Sequence, residues 1–400
     1  MFESIQECLA WVMSRRKGEM TFSSFEAIMK KLGDPQDRLK VIHVAGTNGK
    51  GSTVTYLRDL LMSQGFTVGT LQSPHYLTHL DRIRFNGENI PEETFLRIVN
   101  KYYDFFAKNR MGMFEIDYVV MCEYFLIEEA DYVITEVGIG GRLDSTNVIH
   151  HPVLSVITTI GYDHMERLGN TLEEICKEKC GIIKTASAVL AGDLSASLKE
   201  IVQKTAEEKG SVYYEMKLPE EIGERRFLYD GEVYEISSYG KYQYYNASLA
   251  LEALKILSER EDFIVDREKA KEAVRKSLWK GRFEVVSHDP TVILDGAHNI
   301  HGIDALVKSL DALKGRKLVI FAALKRKEYG KMIEELKKHA DEVVLTSFDH
   351  PEAVSGEDVS GDISFTDDYM GYMKRRENDF DVIVFCGSLY FISEIAEKMQ

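Results

Sequence analysis

A chain of 400 residues exceeds one ordinary domain and implies two or three. With 44% hydrophobic and 29% charged residues it is globular, neither disordered nor fibrous, and can bury a sizeable core. A formal net charge of −15 excludes a general affinity for nucleic acid or anionic membranes, so an anionic ligand requires a local basic pocket.

The N-terminal Met1-Phe2-Glu3-Ser4 lacks the basic start and apolar stretch expected of a signal peptide. Val41–Ala45 reads as a buried strand, followed by a glycine turn and a helix over residues 50–62. Val68–Leu71 is a second strand, and residues 92–106 and 118–129 carry helical patterns. Strands are expected at 132–137 and 153–160, then a helix over Leu172–Cys180, a strand at Ala188–Ala191 and a helix over 195–209. Strands alternating with helices predict a mostly parallel sheet covered on both faces. Between residues 210 and 240 short alternating segments flank Asp230-Gly231, a hairpin turn signal. Helices over 246–259 and 267–278 follow, and the α/β rhythm restarts with strands at 292–294, 318–322, Glu342–Thr346 and 382–385. The expected division is therefore a domain of residues 1–280 and a smaller one of residues 281–400, meeting near Gly281.

No run of about 18 apolar residues predicts a membrane span. The five cysteines (Cys8, Cys122, Cys176, Cys180 and Cys386) are odd in number and contain no CxxC pair, which points to a reducing cytoplasm rather than a disulfide framework. Cys176 and Cys180 stand four apart on one helix face, a spacing that suits packed small side chains better than a metal pair.

The segment Gly46-Thr47-Asn48-Gly49-Lys50-Gly51-Ser52 has the layout of a P-loop: strand, glycine turn, then a lysine and hydroxyls opening a helix. The glycines let backbone N–H groups converge on a phosphate at the positive end of the helix. Lys50 supplies charge for the outer phosphates, and Ser52 or Thr53 a hydroxyl for Mg²⁺. The spacing departs from G-x-x-x-x-G-K-[ST], because Gly51 separates Lys50 from Ser52. Glu136 ends a strand just before Gly138-Ile139-Gly140-Gly141-Arg142, and another strand ends in Gly161-Tyr162-Asp163-His164. Ligands of open α/β sheets gather at the carboxyl ends of strands, which makes Glu136 a Mg²⁺ ligand candidate and favours a functional His164. Ile293-Leu294-Asp295-Gly296-Ala297-His298-Asn299 repeats the pattern in the second domain, with Asn299 also a candidate helix cap.

Together these motifs resemble the folylpolyglutamate synthase (FPGS) and dihydrofolate synthase family, a branch of the Mur ligase superfamily. The resemblance rests, in chain order, on His43-Val44-Ala45-Gly46-Thr47-Asn48-Gly49-Lys50-Gly51-Ser52, Ser73-Pro74-His75 and Asp81-Arg82-Ile83. It continues through Glu136-Val137-Gly138-Ile139-Gly140-Gly141-Arg142-Leu143-Asp144-Ser145-Thr146-Asn147, Asp163-His164 and Glu178-Lys179-Cys180-Gly181. Asn246-Ala247, Gly281-Arg282-Phe283-Glu284, Asp295-Gly296-Ala297-His298-Asn299 and Gly387-Ser388 complete it.

The resemblance implies a P-loop domain of the Mur ligase central type carrying the pterin or folate site. A smaller Rossmann-like C-terminal domain would close over ATP and bind glutamate. The implied activity is ATP-dependent joining of L-glutamate to a reduced folate, to dihydropteroate, or to both, through an acyl phosphate. Ser73 and Glu136 would hold one Mg²⁺, and His164 with Glu136 a second; K⁺ is a further candidate cation. Lys179 matches the lysine that the family carbamylates with CO₂. At its ordinary pKa that amine is neutral only about once in several thousand at pH 7, so burial must favour the neutral form. Asn246 and Arg282 would contact the nucleotide, with Asp295 and His298 reaching it from the second domain. Ser73, Pro74, His75, Arg82 and Phe114 are the substrate candidates; for Phe114, and for Tyr118 beside it, core packing is the competing reading. A cytoplasmic monomer without nucleic-acid or membrane partners is expected. Two other readings are a Mur-type ligase for a different carboxylate and a nucleotide-binding regulator without catalysis.

The chain departs from the family pattern at several positions. Cys180 replaces an alanine, and Asp81 stands where glutamate is usual. Ala323-Leu324-Lys325-Arg326-Lys327-Glu328 replaces a stretch that commonly carries glycine and an aspartate before the lysine. Glu352 stands where arginine is frequent, which bears on the glutamate contacts rather than on the ATP chemistry.

Overall fold

The structure is a computed structural model that describes residues 1–15, 20–359 and 363–399. The chain groups into two compact units. The first comprises Met1–Pro219, Tyr229–Tyr234 and Tyr245–Ser277, and the second Glu220–Leu228, Glu235–Tyr244 and Leu278–Gln400. This grouping differs from a division after residue 280 at Glu220–Leu228, Glu235–Tyr244 and residues 278–280, which group with the second unit.

In the first unit, helices α1 (Ile5–Ser14) and α2 (Phe22–Lys31) precede β1 (Val41–Ala45). Helix α3 (Lys50–Ser63) leads to β2 (Val68–Leu71), β3 (Ile83–Phe85) and β4 (Glu88–Asn89), then α4 (Glu92–Lys108) and α5 (Met113–Ile127). Next come β5 (Tyr132–Glu136), β6 (Leu154–Ile157), α6 (Met165–Leu168), α7 (Leu172–Cys180), β7 (Ala188–Ala191), α8 (Ala196–Glu208) and β8 (Val212–Glu215). The sheet order is β4-β3-β2-β5-β1-β6-β7-β8. From β2 to β8 every neighbouring pair is parallel, and β3 is antiparallel to β2 and β4.

All five residues of β1 and of β5 are buried, as short apolar runs in central parallel strands require. Because β1, β5 and β6 run in one direction, their carboxyl ends at Ala45, Glu136 and Ile157 fall on one edge of the sheet. One core cluster joins Cys8, Phe25, Phe95, Tyr118 and Phe125 of the helices to Val41, Leu71 and Val133 of the sheet. Another packs Ile175, Cys176 and Cys180 of α7 and Leu198 and Val202 of α8 on Ile157 and Val189. Tyr118 is thus a core side chain, edge-on to Phe25 at 5.8 Å between ring centres. The five cysteines are free and buried, and Cys176 and Cys180 approach to 3.9 Å between sulfurs within the second cluster.

Strands β9 (Glu220–Gly223), β10 (Arg226–Tyr229) and β11 (Glu232–Glu235) follow. The central turn residues between β10 and β11, Asp230 and Gly231, have φ of 48° and 82°, the two positive values a type I′ turn demands. Helices α9 (Tyr242–Glu261) and α10 (Arg267–Lys276) come next.

The second unit is built on β12 (Glu284–His288), β13 (Thr291–Asp295), β14 (Lys317–Phe321), β15 (Glu342–Thr346), β16 (Ser364–Thr366) and β17 (Val382–Cys386). Their order is β12-β13-β17-β14-β15-β16, parallel except for the β12–β13 pair. Its core includes Ile293, Val319, Phe321, Leu345 and Val384. Helices α11 (Ile300–Leu310), α12 (Tyr329–Leu336) and α13 (Tyr369–Arg376) lie between strands, and α14 (Leu389–Lys398) follows β17. Among the described residues, no helix is long and apolar enough to cross a membrane.

Gly69 of β2 sits under the ring of Phe125, and a Cβ there would lie 2.7 Å from three ring carbons. Gly69→Ala should lower the stability of the first unit by about 1–3 kcal/mol, read as a lower urea midpoint.

Candidate active site

The phosphate turn lies between β1 and α3. Gly46 and Gly49 have φ of 155° and 84°; a Cβ would meet Thr158 Oγ1 at 1.8 Å and Asn246 Oδ1 at 2.4 Å, respectively. Glycine is therefore required at both positions, and Asn246 is brought against the turn. The turn is also tied to the chain leaving β6. Thr47 N–H donates to Thr159 O (2.7 Å), Asn48 N–H to Thr159 Oγ1 (3.1 Å), and Thr158 Oγ1 to Asn48 O (2.6 Å). Thr47 Oγ1 donates to Gly161 O (3.1 Å) and accepts from Gly161 N–H (3.0 Å). Helix α3 begins at Lys50 with no side-chain cap. The first N–H groups of a helix have no intrahelical partner, so this end suits an anion. Lys50 Nζ donates to Gly46 O (3.1 Å) and Thr47 O (3.2 Å), which holds the ammonium over the turn. Ser52 and Thr53 are buried, Thr53 with its hydroxyl unpartnered, and Gln72 Nε2 donates to Gly51 O (3.1 Å), linking the start of α3 to the residue before Ser73.

Glu136, 5% exposed, is the last residue of β5. The loop after it lies directly on the end of α7. A Cβ on Gly141 would sit 2.8 Å from Glu178 O and 3.1 Å from Lys179 Cα, and one on Gly181 would sit 2.4 Å from Arg142 Cα. Asn147 Nδ2 bridges the two backbones, donating to Arg142 O (3.0 Å) and Gly181 O (3.1 Å). Arg142 adds a backbone bond to Glu178 O (2.8 Å) and a side-chain bond to Glu178 Oε1 (3.0 Å). These contacts fix Lys179 to the loop that follows Glu136.

Lys179 is 3% exposed. Burial, followed by the neighbouring Lys50 charge, lowers its pKa from 10.5 to about 7, against opposing pulls from Asp163, Cys176 and Asp144. The amine is therefore neutral in a large fraction of molecules near pH 7, far from the behaviour of a surface lysine. His164 has φ of 50°, with Nε2 3.9 Å from Asp163 Oδ1 and Nδ1 3.6 Å from Glu166 Oε1.

On the other side of the turn lie the substrate candidates. Ser73, Pro74 and His75 are half-buried, and the Ser73-Pro74 peptide is cis. Arg82, 4% exposed, donates from Nε to His75 Nδ1 (3.4 Å) and places Nη1 3.8 Å from Asp117 Oδ2; Asp117 Oδ1 in turn bonds His79 Nε2 at 2.7 Å. Asp81 accepts from the N–H groups of Tyr76, Leu77 and Thr78 (3.1, 2.8 and 3.2 Å), so the short acid serves to close the 76–78 turn. Phe114 is half-buried beside Gly138, while Tyr118 belongs to the core.

In the second unit, Asp295 is 2% exposed and fully engaged. It accepts from Tyr242 Oη (2.5 Å), Phe283 N–H (2.9 Å) and Ala297 N–H (2.8 Å). Burial raises its pKa, and the Arg282 charge opposes the rise. His298 Nδ1 is 2.8 Å from Gly296 O; a carbonyl only accepts, so Nδ1 carries the proton. Asn299 caps α11, accepting from Gly302 N–H at 2.8 Å. The two divergent segments meet here: Leu324 bridges Ala353, and Arg326 Nε lies 3.8 Å from Glu352 Oε2. The acid that replaces the frequent arginine is thus paired with a base in the other divergent stretch.

The structure brings Gly46, Thr47, Asn48, Gly49, Lys50, Gly51, Ser52, Lys179 and Asn246 to one edge of the first unit's sheet, with Ser73, Glu136 and His164 on the strand ends and loops of that edge. Arg282, Asp295 and His298 form a separate cluster in the second unit. Thr158 and Thr159, which hold the turn, are missed by motif reasoning, and His43 of β1 enters it only as a motif residue without a role. A run of hydroxyls at a strand end is the only signal that could have found the two threonines.

Known proteins share the fold and the two domains. Residues 44–254 match the Mur ligase middle domain, and residues 281–389 the Mur ligase glutamate ligase domain. Fold and site together define an ATP-dependent ligase of the Mur type. The dihydrofolate synthase/folylpolyglutamate synthase of Bacillus subtilis is 34% identical over 100% of both chains. The chain belongs to the folylpolyglutamate synthase/dihydrofolate synthase family. Among solved structures, the apo form of L. casei FPGS matches with a TM-score of 0.85 at 27% identity over 99% of both chains. An FPGS–AMPPCP complex matches with a TM-score of 0.84 at 27% identity, again over 99% of both.

The lowered Lys179 pKa has a stability consequence. Between about 7 and the ordinary lysine value of 10.5, the unfolded chain holds a proton on this amine that the folded chain has lost. Stability therefore rises with pH across that window, while below it both states are protonated and the burial cost is undiminished. With chelator present, wild type should gain stability relative to Lys179→Met as pH rises from about 7 to about 9, measured by chemical denaturation at each pH.

Proposed function

We propose that the protein joins the amine of L-glutamate to the carboxylate of a reduced folate, of dihydropteroate, or of both, at the expense of ATP. The observation that carries this reading is the uncapped, glycine-bounded start of α3 with Lys50 over it and the buried, easily deprotonated Lys179 beside it. Phosphate binding alone has no use for a second, desolvated lysine. The FPGS–AMPPCP complex is similar to this chain throughout its length, which supports a nucleotide at the turn.

A bare carboxylate is a poor electrophile, so the reaction proceeds in two displacements. The acceptor's carboxylate oxygen attacks the γ-phosphorus of ATP, and the bond to the β,γ-bridging oxygen breaks, giving an acyl phosphate and ADP. The glutamate amine then attacks the acyl carbon, the C–O bond to phosphate breaks, and the amine loses a proton as the amide forms. The N–H groups at the start of α3 hold the phosphates, and the Lys50 ammonium offsets the charge that develops on them. Asn246 sits against Gly49 to bound the nucleotide, and Arg282, Asp295 and His298 are assigned to nucleotide contacts in the second unit. Ser73, Pro74, His75, Arg82 and Phe114 are assigned to the acceptor.

The residues fit a hard divalent cation: Glu136 is a nearly buried carboxylate at a strand end, and oxygen donors suit Mg²⁺. Ser52, Ser73, Glu136, His164 and a carbamate on Lys179 would hold it, as two ions, with K⁺ a further candidate. Bound there, Mg²⁺ neutralises phosphate charge. The neutral Lys179 amine would attack the carbon of CO₂, one C=O π pair moving to oxygen and the nitrogen losing a proton to solvent, so that a neutral amine becomes an anionic oxygen donor. Free, buried cysteines fit a reducing cytoplasm, where the chain is proposed to act as a monomer.

Phosphate release from ATP should require both L-glutamate and a pterin acceptor, with dihydropteroate and tetrahydrofolate offered separately and products resolved by mass. Release that ignores both acceptors would refute the reading. Lys50→Ala should lose at least about 100-fold in turnover while keeping its circular dichroism spectrum. Lys179→Ala should also lose most activity, with partial recovery on adding acetate; an unchanged rate would remove the carbamate from the mechanism.

A further inference from the structure

A row of polar side chains crosses the middle of the first sheet, where strands of this type are ordinarily apolar. His43 of β1 is in register with Thr135 of β5 and Ser155 of β6, so the three share one face, and all three are 0% exposed. Two of them reach up to the segments that carry the site. Ser155 Oγ donates to Ile182 O (3.0 Å), just beyond the end of α7. His43 Nε2 lies 2.8 Å from Thr146 Oγ1, and Thr146 Oγ1 donates to Asp144 Oδ1 (2.6 Å). The other Asp144 oxygen accepts from Ile139 N–H (2.9 Å), inside the loop that follows Glu136.

The direction of each bond is fixed by its chemistry. The single hydroxyl proton of Thr146 goes to the carboxylate, so His43 Nε2 must carry the proton that Thr146 accepts. His43 is then the neutral Nε2–H tautomer, and its Nδ1 is buried without a partner. Burial and the Lys184 charge hold the ring neutral, with its pKa lowered to about 3. With Asp144 ionised, the chain His43 → Thr146 → Asp144 ← Ile139 therefore runs one way; burial raises the Asp144 pKa, and the hydrogen bonds from Thr146 and Ile139 oppose that rise.

We infer that His43, acting through Thr146 and Asp144, is a positioning residue that sets the loop after Glu136 against Lys179 and so shapes the metal-holding face of the site. The inference rests on the ligase reading for its purpose but not for its geometry. Leaving a histidine Nδ1 unpaired in the core is costly, and an apolar residue at position 43 would pack without that cost. Thr146 also precedes Asn147, whose amide bridges Arg142 O and Gly181 O, so any shift of Thr146 passes to the backbone beside Lys179.

Thr146→Val removes the hydroxyl at nearly constant shape, and Thr146→Ser restores it without the methyl. Mn²⁺ affinity in the presence of a non-hydrolysable ATP analogue, read by electron paramagnetic resonance, tests the geometry without turnover. Thr146→Val should bind Mn²⁺ about 5- to 10-fold more weakly, raise the Mg²⁺ concentration for half-maximal activity by a similar factor, and lower kcat about 10-fold. Thr146→Ser should stay within about twofold of wild type on all three readouts. A folded Thr146→Val with wild-type Mn²⁺ affinity and kcat would overturn the inference, as would a Thr146→Ser as defective as Thr146→Val. If wild type shows no acceptor-dependent phosphate release, the ligase reading fails while the Mn²⁺ comparison still decides the positioning role.

Discussion

Two stretches of backbone can approach to van der Waals distance only where neither carries a side chain on the facing side. That condition is met once on each side of the junction between the loop after β5 and the end of α7, by Gly141 and Gly181. The placing of Lys179 depends on it, because the junction joins Glu136, a buried carboxylate at the end of β5, to the helix that carries Lys179. Asn147 then fastens the two carbonyls with a single amide, so the approach is held by hydrogen bonds as well as by packing. A buried lysine is expensive wherever it is placed. Here its cost is reduced because the amine gives up its proton, with the Lys50 charge assisting and Asp163 resisting.

The phosphate turn shows a different economy. Its glycines are forced by Thr158 and Asn246, residues more than a hundred positions away in sequence, not by the turn alone. The turn is held by hydroxyls from the strand next to it, so β1 and β6 act together as one rigid edge beneath the ligand. On a chain with a net charge of −15, a polyanion is received locally: the Lys50 ammonium and the open start of α3 are concentrated where the sheet opens.

Much of this was legible in the sequence, and the boundary of what was legible is physical. Val41–Ala45, Val68–Leu71, Leu172–Cys180 and Ala188–Ala191 were plain because buried strands and capped amphipathic helices leave a local pattern. Lys50 and Glu136 stood out because their neighbours are glycines at a helix start and a strand end, whereas Lys179 was picked out only through the family resemblance, since locally it reads as a surface lysine on an amphipathic helix. The edge strands β12 and β16 left little trace, being half-exposed or three residues long. The short stretches Glu220–Leu228 and Glu235–Tyr244 gave no sign of the unit they would join, since their contacts lie far along the chain. His43 was hidden in another way. It sits inside a recognised motif, but its partner Thr146 is 103 residues on, and only the fold reveals that they touch.

The exposed pair of Arg326 and Glu352 contributes little to stability, with more than half of each side chain in solvent. It matters instead for the local field: the Leu324–Ala353 bridge sets the segments of Arg326 and Glu352 side by side, so a base and an acid face each other across it and the pair presents a surface dipole rather than a net charge.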